Sequence, residues 1–186
     1  NDTVRYRIQP GFFVADPANP ESQSTVPVYV DTGEIPAENF CLYGAELAAQ
    51  FGPLLFQSEL MFAGVNQTDN LYLVFSGGTA MASMVVTGES REYDRTRGAF
   101  RRIRPRCNRT SHRYWGALEL AVGVSSIDLN DQNIQGGRLN VLVGGINWYM
   151  TSYSIFKFNL IHSFHDDPVY DRSSSDIAAL RVQVEF

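Results

Sequence analysis

Apolar and polar side chains alternate with a period of two residues along most of this chain. Successive side chains of a β-strand point to opposite sheet faces, so this alternation predicts strands with one apolar and one polar face. The clearest case is residues 178–186, which end on the aromatic Phe186. The same pattern predicts no helix and about nine strands, at residues 5–14, 26–33, 40–51, 54–64, 75–87, 115–126, 139–149, 154–164 and 178–186.

The length of these segments indicates a membrane protein. Most run for about 9–13 residues, which exceeds the usual globular strand and matches a tilted membrane crossing. A closing amphipathic strand that ends on an aromatic residue is typical of outer-membrane barrels. The predicted fold class is therefore all-β, an antiparallel transmembrane β-barrel in which the apolar faces meet lipid.

A soluble β-sandwich or lipocalin-like barrel is the competing interpretation, with the apolar faces turned inward. The acidic residues of the predicted strands lie among small neighbours such as Gly44, Ala48 and Ala117. That setting favours a crowded polar lumen over an open surface. No run of 18 apolar residues occurs, so a membrane helix is excluded. The start Asn1-Asp2-Thr3 carries no secretion signal and is expected to be a mature, cleaved or truncated end.

Connections between the predicted strands alternate in length. Residues 51–53 and 150–152 form tight turns, whereas residues 128–137 and 165–175 are longer and polar. Short turns on one side and longer loops on the other are typical of outer-membrane barrels. With the C-terminus in the periplasm, the tight turns lie there too. Aromatic residues cluster at strand ends, among them Trp148 and Tyr149, and predict girdles at the membrane interfaces.

The basic residues are concentrated in one segment, which also begins and ends on the periplasmic side. Residues 89–113 contain three acids and nine of the fourteen arginines, a formal charge of +6, so the remaining residues carry −11 to give the total of −5. Such asymmetry indicates a ligand, a partner or an internal counter-charge. The predicted pore-lining, anion-binding residues are Arg91, Arg95, Arg97, Arg101, Arg102, Arg104, Arg106, Arg109 and Arg113.

This arginine-rich segment has two possible positions, inward across the lumen or outward into the periplasm. Guanidinium groups bind carboxylates bidentately, and the predicted lumen counter-charges are Glu46, Glu59, Glu119 and Glu185. Apolar anchors are expected at Ala99, Phe100, Ile103 and Trp115. We favour the inward position, where unpaired arginines form a constriction that attracts anions. A solvated periplasmic loop is the alternative.

Other candidate chemistry is weaker. Residues 162–167 contain the residue types of a metal or Ser-His-Asp site, but His162 and His165 point to opposite faces of a strand. We therefore predict no metal, no cofactor and no catalysed reaction, with an outer-membrane hydrolase as the minor alternative. Nucleic-acid binding is not expected, because the arginines lack interleaved aromatic platforms. Cys41 and Cys107 are predicted to lie too far apart for a disulfide.

A series of short motifs follows in order along most of the chain. They are residues 43–48 (YGAELA), 51–53 (FGP), 57–59 (QSE), 87–93 (TGESREY), 98–105 (GAFRRIRP), 116–121 (GALELA), 126–131 (SIDLND), 147–149 (NWY) and 179–186 (ALRVQVEF). Together they resemble the phosphate-selective porin O and P family. The resemblance covers the chain from about residue 26.

The resemblance implies a sixteen-stranded, trimeric, water-filled barrel in the bacterial outer membrane. Residues 1–186 would be the C-terminal portion of that barrel, with residues 89–113 as an insertion. A further chain or an N-terminal half would complete the wall, in agreement with the odd strand count, because closed bacterial barrels have even numbers. The implied partners are outer-membrane lipid and two further copies.

The predicted function is an anion-preferring porin for small hydrophilic solutes. Members of the family that select phosphate are lysine-rich in the pore, whereas Lys157 is the single lysine of this chain, so phosphate selectivity is not carried over. The alternative function is a plugged or structural barrel that scaffolds a partner.

Overall fold

The computed structural model of the chain describes residues 2–9, 28–105, 115–167 and 171–185. These residues contain strands and turns and no helix. Within them, no helix long and apolar enough to cross a membrane is found. The strands are β1 (Thr3–Val4), β2 (Arg7–Ile8), β3 (Val30–Asp31), β4 (Ile35–Phe51), β5 (Leu54–Gln67), β6 (Tyr72–Val85), β7 (Tyr93–Asp94), β8 (Ala99–Phe100), β9 (Ala117–Asp131), β10 (Ile134–Tyr149), β11 (Ser154–Asp167) and β12 (Asp171–Val184).

Seven long strands form one curled antiparallel sheet. Its order is β1-β4-β5-β6-β9-β10-β11-β12, so each long strand pairs with its neighbour in sequence, and β1 extends one edge. The long strands contain 14 to 17 residues each. β2 pairs with β3 and β7 with β8 in two separate ribbons. The fold is therefore an open half-barrel with a concave and a convex face.

The seven strands predicted from residue 40 onward are confirmed. The predicted long connections at residues 128–137 and 165–175 are wrong, because β9 continues to Asp131 and β11 continues to Asp167. The polar residues at these ends pair across the strands. Arg138 lies directly opposite Asp128 and forms an ion pair with it. Paired charges on adjacent strands stabilise a sheet, so polarity alone did not indicate a loop here.

The predicted wall strands 5–14 and 26–33 are wrong where the structure describes them. Only β1 joins the large sheet, and residues 5–9 and 28–34, named here the N-terminal strap, lie against the concave face. Val30 is buried in a cluster with residues of β9 and β10, and the Tyr29 hydroxyl is 2.9 Å from Ser175 Oγ of β12. An extended chain on an apolar surface alternates as a wall strand does, which explains the error. Residues 10–27 lie outside the described residues.

The two faces of the sheet differ in character, as the alternation predicts. On the convex face, Leu180, Val182 and Val184 are 60–64% exposed. They belong to a broad set of exposed apolar side chains spread over β4–β6 and β9–β12. On the concave face, polar groups such as Glu119 and Ser163 are buried. Phe186, the aromatic end of the last predicted strand, lies outside the described residues.

Gly116 fixes the point where the chain enters β9. Its φ is +72°, and a Cβ at this position would lie 2.1 Å from the Tyr149 carbonyl oxygen. Only glycine adopts this conformation at low cost, and the obstructing atom is backbone. The path of the chain into β9 therefore requires a residue without a Cβ at position 116.

Gly116→Ala is expected to lower the free energy of unfolding by about 2 kcal/mol or more, since both the positive φ and the clash oppose the methyl group. Urea titration followed by circular dichroism measures this. Gly144→Ala is the matched control, because nothing lies within 4 Å of its added Cβ. Equal stability of the two variants would contradict the role given to Gly116.

Candidate functional site

The connection between β6 and β9 folds onto the concave face. β7 and β8 form a short hairpin in which Tyr93 lies opposite Phe100, with ring centroids 5.0 Å apart. Ile103 is completely buried in a cluster with Val85, Ala117, Tyr149 and Ile155. Residues 91–103 thus occupy the inward position that the sequence favours. Trp115 was a wrong anchor, since it is 64% exposed.

Arg91 and Glu119 form the centre of this contact. Arg91 Nη2 donates to both carboxylate oxygens, at 2.8 and 2.9 Å, so a single nitrogen serves both oxygens instead of the expected fork. Tyr149 and Asn147 each donate to Glu119 Oε2 at 2.9 Å. These four residues are named here the Glu119 cluster. With Glu119 1% exposed, the carboxylate is a buried charge that is paired and hydrogen-bonded, as such groups require.

Further bonds hold Arg91 in place. Its Nη2 also donates to the Tyr149 hydroxyl at 2.9 Å, and Gln50 Nε2 donates to its backbone carbonyl at 2.8 Å. Burial alone would lower the pKa of Arg91, but its hydrogen bonds and electrostatic attraction to Glu119 and Tyr149 together outweigh burial, and the net pKa is raised. Arg91 therefore stays charged and acts as an anchor of the segment.

Arg101 and Arg102 also lie beside carboxylates. Arg101 Nη2 is 3.0 Å from Asp94 Oδ2, and this hydrogen bond holds the pKa of Asp94 below its ordinary value. Arg102 Nη1 lies 2.8 Å from Glu185 Oε2. These two groups form an ion pair without hydrogen-bond geometry, so the three Arg102 side-chain nitrogens are buried without a hydrogen-bond partner. Arg102 is thus only partly satisfied.

The remaining predicted arginines divide into two groups. Arg95, Arg97 and Arg104 are exposed and form no ion pair with any residue that the structure describes. The second group, Arg106, Arg109 and Arg113, lies outside the described residues, as does Cys107. The anion-binding role of all nine arginines stays a prediction.

The four predicted counter-charges behave differently. Glu119 and Glu185 contact arginines of the segment. Glu46 and Glu59 lie directly opposite each other on β4 and β5, and within the described ranges neither forms an ion pair. The structure therefore brings two of the four acids to the segment.

Sequence reasoning missed three residues of the site. Tyr149 was assigned with Trp148 to an aromatic girdle, yet it points inward and is 3% exposed. Adjacent strand residues face opposite sides, so both could not share one face, and this signal was available. Asn147 and Lys157 lie opposite each other on β10 and β11, and both line the concave cavity.

That cavity lies between the segment and the wall and has a volume of about 1010 Å³. Its charged lining residues are Glu46, Arg91, Arg102, Glu119 and Lys157. This volume accommodates small hydrophilic solutes and ions. No group of three or more metal-ligating side chains occurs in the part of the chain that is described.

The other candidate residues lie away from the cavity. His162 Nδ1 is 2.6 Å from Asp176 Oδ1, whereas the His165 ring stacks on Tyr29 of the strap. The two histidines are on opposite sides of β11, as expected. Cys41 Sγ lies 3.9 Å from the Tyr72 hydroxyl. That Cys41 and Cys107 form no disulfide stays a prediction.

Together, a curled antiparallel sheet with an apolar convex face and a charged inward segment is typical of a pore wall. The family model described as phosphate-selective porin O and P matches residues 13–186. The chain belongs to this family.

A relative in Caulobacter vibrioides, an uncharacterized protein, is 28% identical over 130 residues. The matched region is 70% of this chain and 26% of that protein, so the chain spans about a quarter of the length of its relative.

Glu119→Ala is expected to release the segment, because Arg91 would remain as a half-buried charge without its partner. Removing one member of a buried pair costs about 3–5 kcal/mol. Faster trypsin cleavage within residues 91–104 is the measurement, since the segment is rich in arginine. Glu46→Gln is the control, because it removes an acid of the concave face that forms no ion pair with a described residue. Trypsin should cleave this variant at the same rate as the unsubstituted protein. Equal cleavage of both variants would refute the anchoring role.

Proposed function

We propose that this chain forms part of the wall of an outer-membrane porin that passes small hydrophilic solutes and prefers anions. The observation that carries the proposal is the inward fold of residues 91–103 over the polar concave face of a sheet whose convex face is apolar. A lumen with a charged inward segment and an apolar outer surface has the organisation that a membrane pore requires. No catalysed reaction is included.

The convex face supports a location in lipid. Side chains such as Leu60, Val122 and Leu180 are half exposed or more, and exposed apolar side chains of this kind occur on all seven long strands. Soluble proteins rarely expose such large apolar areas. Outer-membrane lipid is the partner that covers this surface, together with neighbouring copies in a homotrimer.

The edges of the sheet support completion by further strands. The outer edges of β12 and of most of β4 have no described strand beside them, and unpaired edges inside a membrane leave backbone groups without partners. An N-terminal half or a second chain supplies the missing wall. The short length of this chain relative to its match in Caulobacter vibrioides is consistent with a longer complete barrel.

The charge balance of the segment supports anion preference. Arg91 is matched by Glu119 and Arg101 by Asp94, so these arginines contribute little net charge to the lumen. Arg95, Arg97 and Arg104 are exposed and uncompensated within the described ranges. Such cations raise the local anion concentration in a confined channel.

A plugged barrel that scaffolds a partner is the second candidate, and the N-terminal strap favours it. The strap covers an apolar part of the concave face, where Val65, Leu73 and Leu139 are almost completely buried. A water-filled lumen is normally polar, so this end is partly closed. Negligible conductance together with a stable co-purifying protein would favour this candidate.

Leu180→Arg is expected to lower the free energy of unfolding in the membrane by about 2–4 kcal/mol, since a charge would face mid-bilayer. Gln183→Ser changes a side chain on the opposite face, three residues along the same strand, and should have almost no effect. Urea unfolding of the barrel in lipid vesicles, followed by tryptophan fluorescence, measures both. If Leu180→Arg left the free energy of unfolding unchanged, the convex face would have to lie against protein or water instead of lipid.

Joint substitution of Arg95, Arg97 and Arg104 by Gln is expected to shift the reversal potential of the complete pore toward cations under a KCl gradient. The reason is the loss of three uncompensated positive charges. Planar-bilayer recording gives the measurement. Joint substitution of Arg138 by Gln and Asp128 by Asn is the control, because it removes an ion pair without changing the net charge and should leave the potential unchanged. Cation preference that the triple substitution does not alter would reject the arginine constriction.

A further inference from the structure

We propose that the lumen wall separates charge, acidic at one margin of the sheet and basic at the other, and thereby favours zwitterionic solutes. This inference rests on the proposed pore function and names a solute class for it: small molecules that carry both an ammonium and a carboxylate. The acidic margin is Glu46 and Glu59, and the basic margin is Lys157 and Arg181.

The acidic margin lies on β4 and β5. Glu46 and Glu59 are directly opposite in the register, and opposite residues of an antiparallel pair share one face. That face is concave, because Glu46 lines the cavity. Two like charges in direct opposition destabilise a sheet, and no described cation lies within ion-pair distance of either.

The basic margin has the same construction with the opposite sign. Lys157 of β11 lies directly opposite Arg181 of β12, and Lys157 lines the same cavity as Glu46. Neither cation forms an ion pair in the described part of the chain. The partly satisfied Arg102 guanidinium lines the cavity too. Each margin thus carries a like-charge pair without a compensating partner.

The margins face each other across the cavity. β6, β9 and β10 separate β5 from β11, which at about 4.8 Å per strand is about 19 Å along the curved sheet. Between them, Glu119 is neutralised by Arg91, so the middle of the wall adds little charge. The net result is a field directed across the lumen, which low-dielectric walls strengthen and salt weakens.

A zwitterion gains from both margins at once. Its carboxylate turns toward Lys157 and Arg181, and its ammonium turns toward Glu46 and Glu59. A simple anion is attracted by one margin and repelled by the other, and a neutral molecule gains from neither. Preference for zwitterions is therefore separate from the preference for anions that the arginines set.

The test compares glycine with its neutral isomer glycolamide, which has the same atoms and no formal charges. Liposomes that contain the complete porin at low ionic strength are mixed with each solute, and the swelling rate gives its entry. Glycine is expected to enter about two- to fivefold faster, a ratio of the size that one exposed ion pair contributes.

Two double variants neutralise one margin each, Glu46→Gln with Glu59→Gln and Lys157→Gln with Arg181→Gln. Each is expected to bring the ratio near one. Exchanging the margins (E46K, E59K, K157E and R181E together) keeps the net charge and inverts the field. The ratio of glycine entry to glycolamide entry is therefore expected to return to that of the unsubstituted porin. Asn159→Ser, another substitution on β11, should keep the unaltered ratio.

A ratio near one in the unaltered porin, or an unchanged ratio in both double variants, would overturn the inference. Heat-modifiable migration on gels confirms that each variant folds, and if the exchange variant does not, the two double variants decide. Failure of the pore function is distinguishable, because glycolamide itself would then not enter.

Discussion

The ionic contact between Arg91 and Glu119 holds the inward segment against the wall, and the arrangement of the lumen depends on it. Glu119 is almost completely buried, and a carboxylate in that setting requires a cation and hydrogen-bond donors. Arg91, Tyr149 and Asn147 supply them from two elements. Because the acid belongs to β9 and Arg91 to the connection before it, satisfying the charge brings the segment inward.

Two packed clusters divide the concave face. Near the segment, Ile103 and Tyr149 close a small apolar cluster. At the opposite end, the N-terminal strap covers a larger one that includes Val30 and Leu129. The polar zone lies between them, with the cavity and its charged lining. Apolar packing thus fixes both ends, and electrostatics govern the space in the middle.

Charge in the lumen is not simply the sum of its arginines. Arg91 and Arg101 are committed to nearby acids, whereas Lys157 and Arg181 on the wall have no such partner among the described residues. The residues with the strongest sequence signal therefore serve in part as anchors. Lys157 and Arg181, which the strand register places opposite each other on the wall, carry charge that no described acid neutralises.

The sequence by itself determined the seven long strands and their two faces, because a period of two residues is a local property of the chain, and its ordered short motifs pointed to the family. It also identified the segment and Ile103 as an anchor. Tertiary structure alone decided which acids pair with arginines, that residues 28–34 leave the wall, and that Tyr149 belongs to the site. Those outcomes depend on which strands lie opposite one another and on how the sheet curves. Both are set by contacts between residues far apart in the chain, which alternation does not encode.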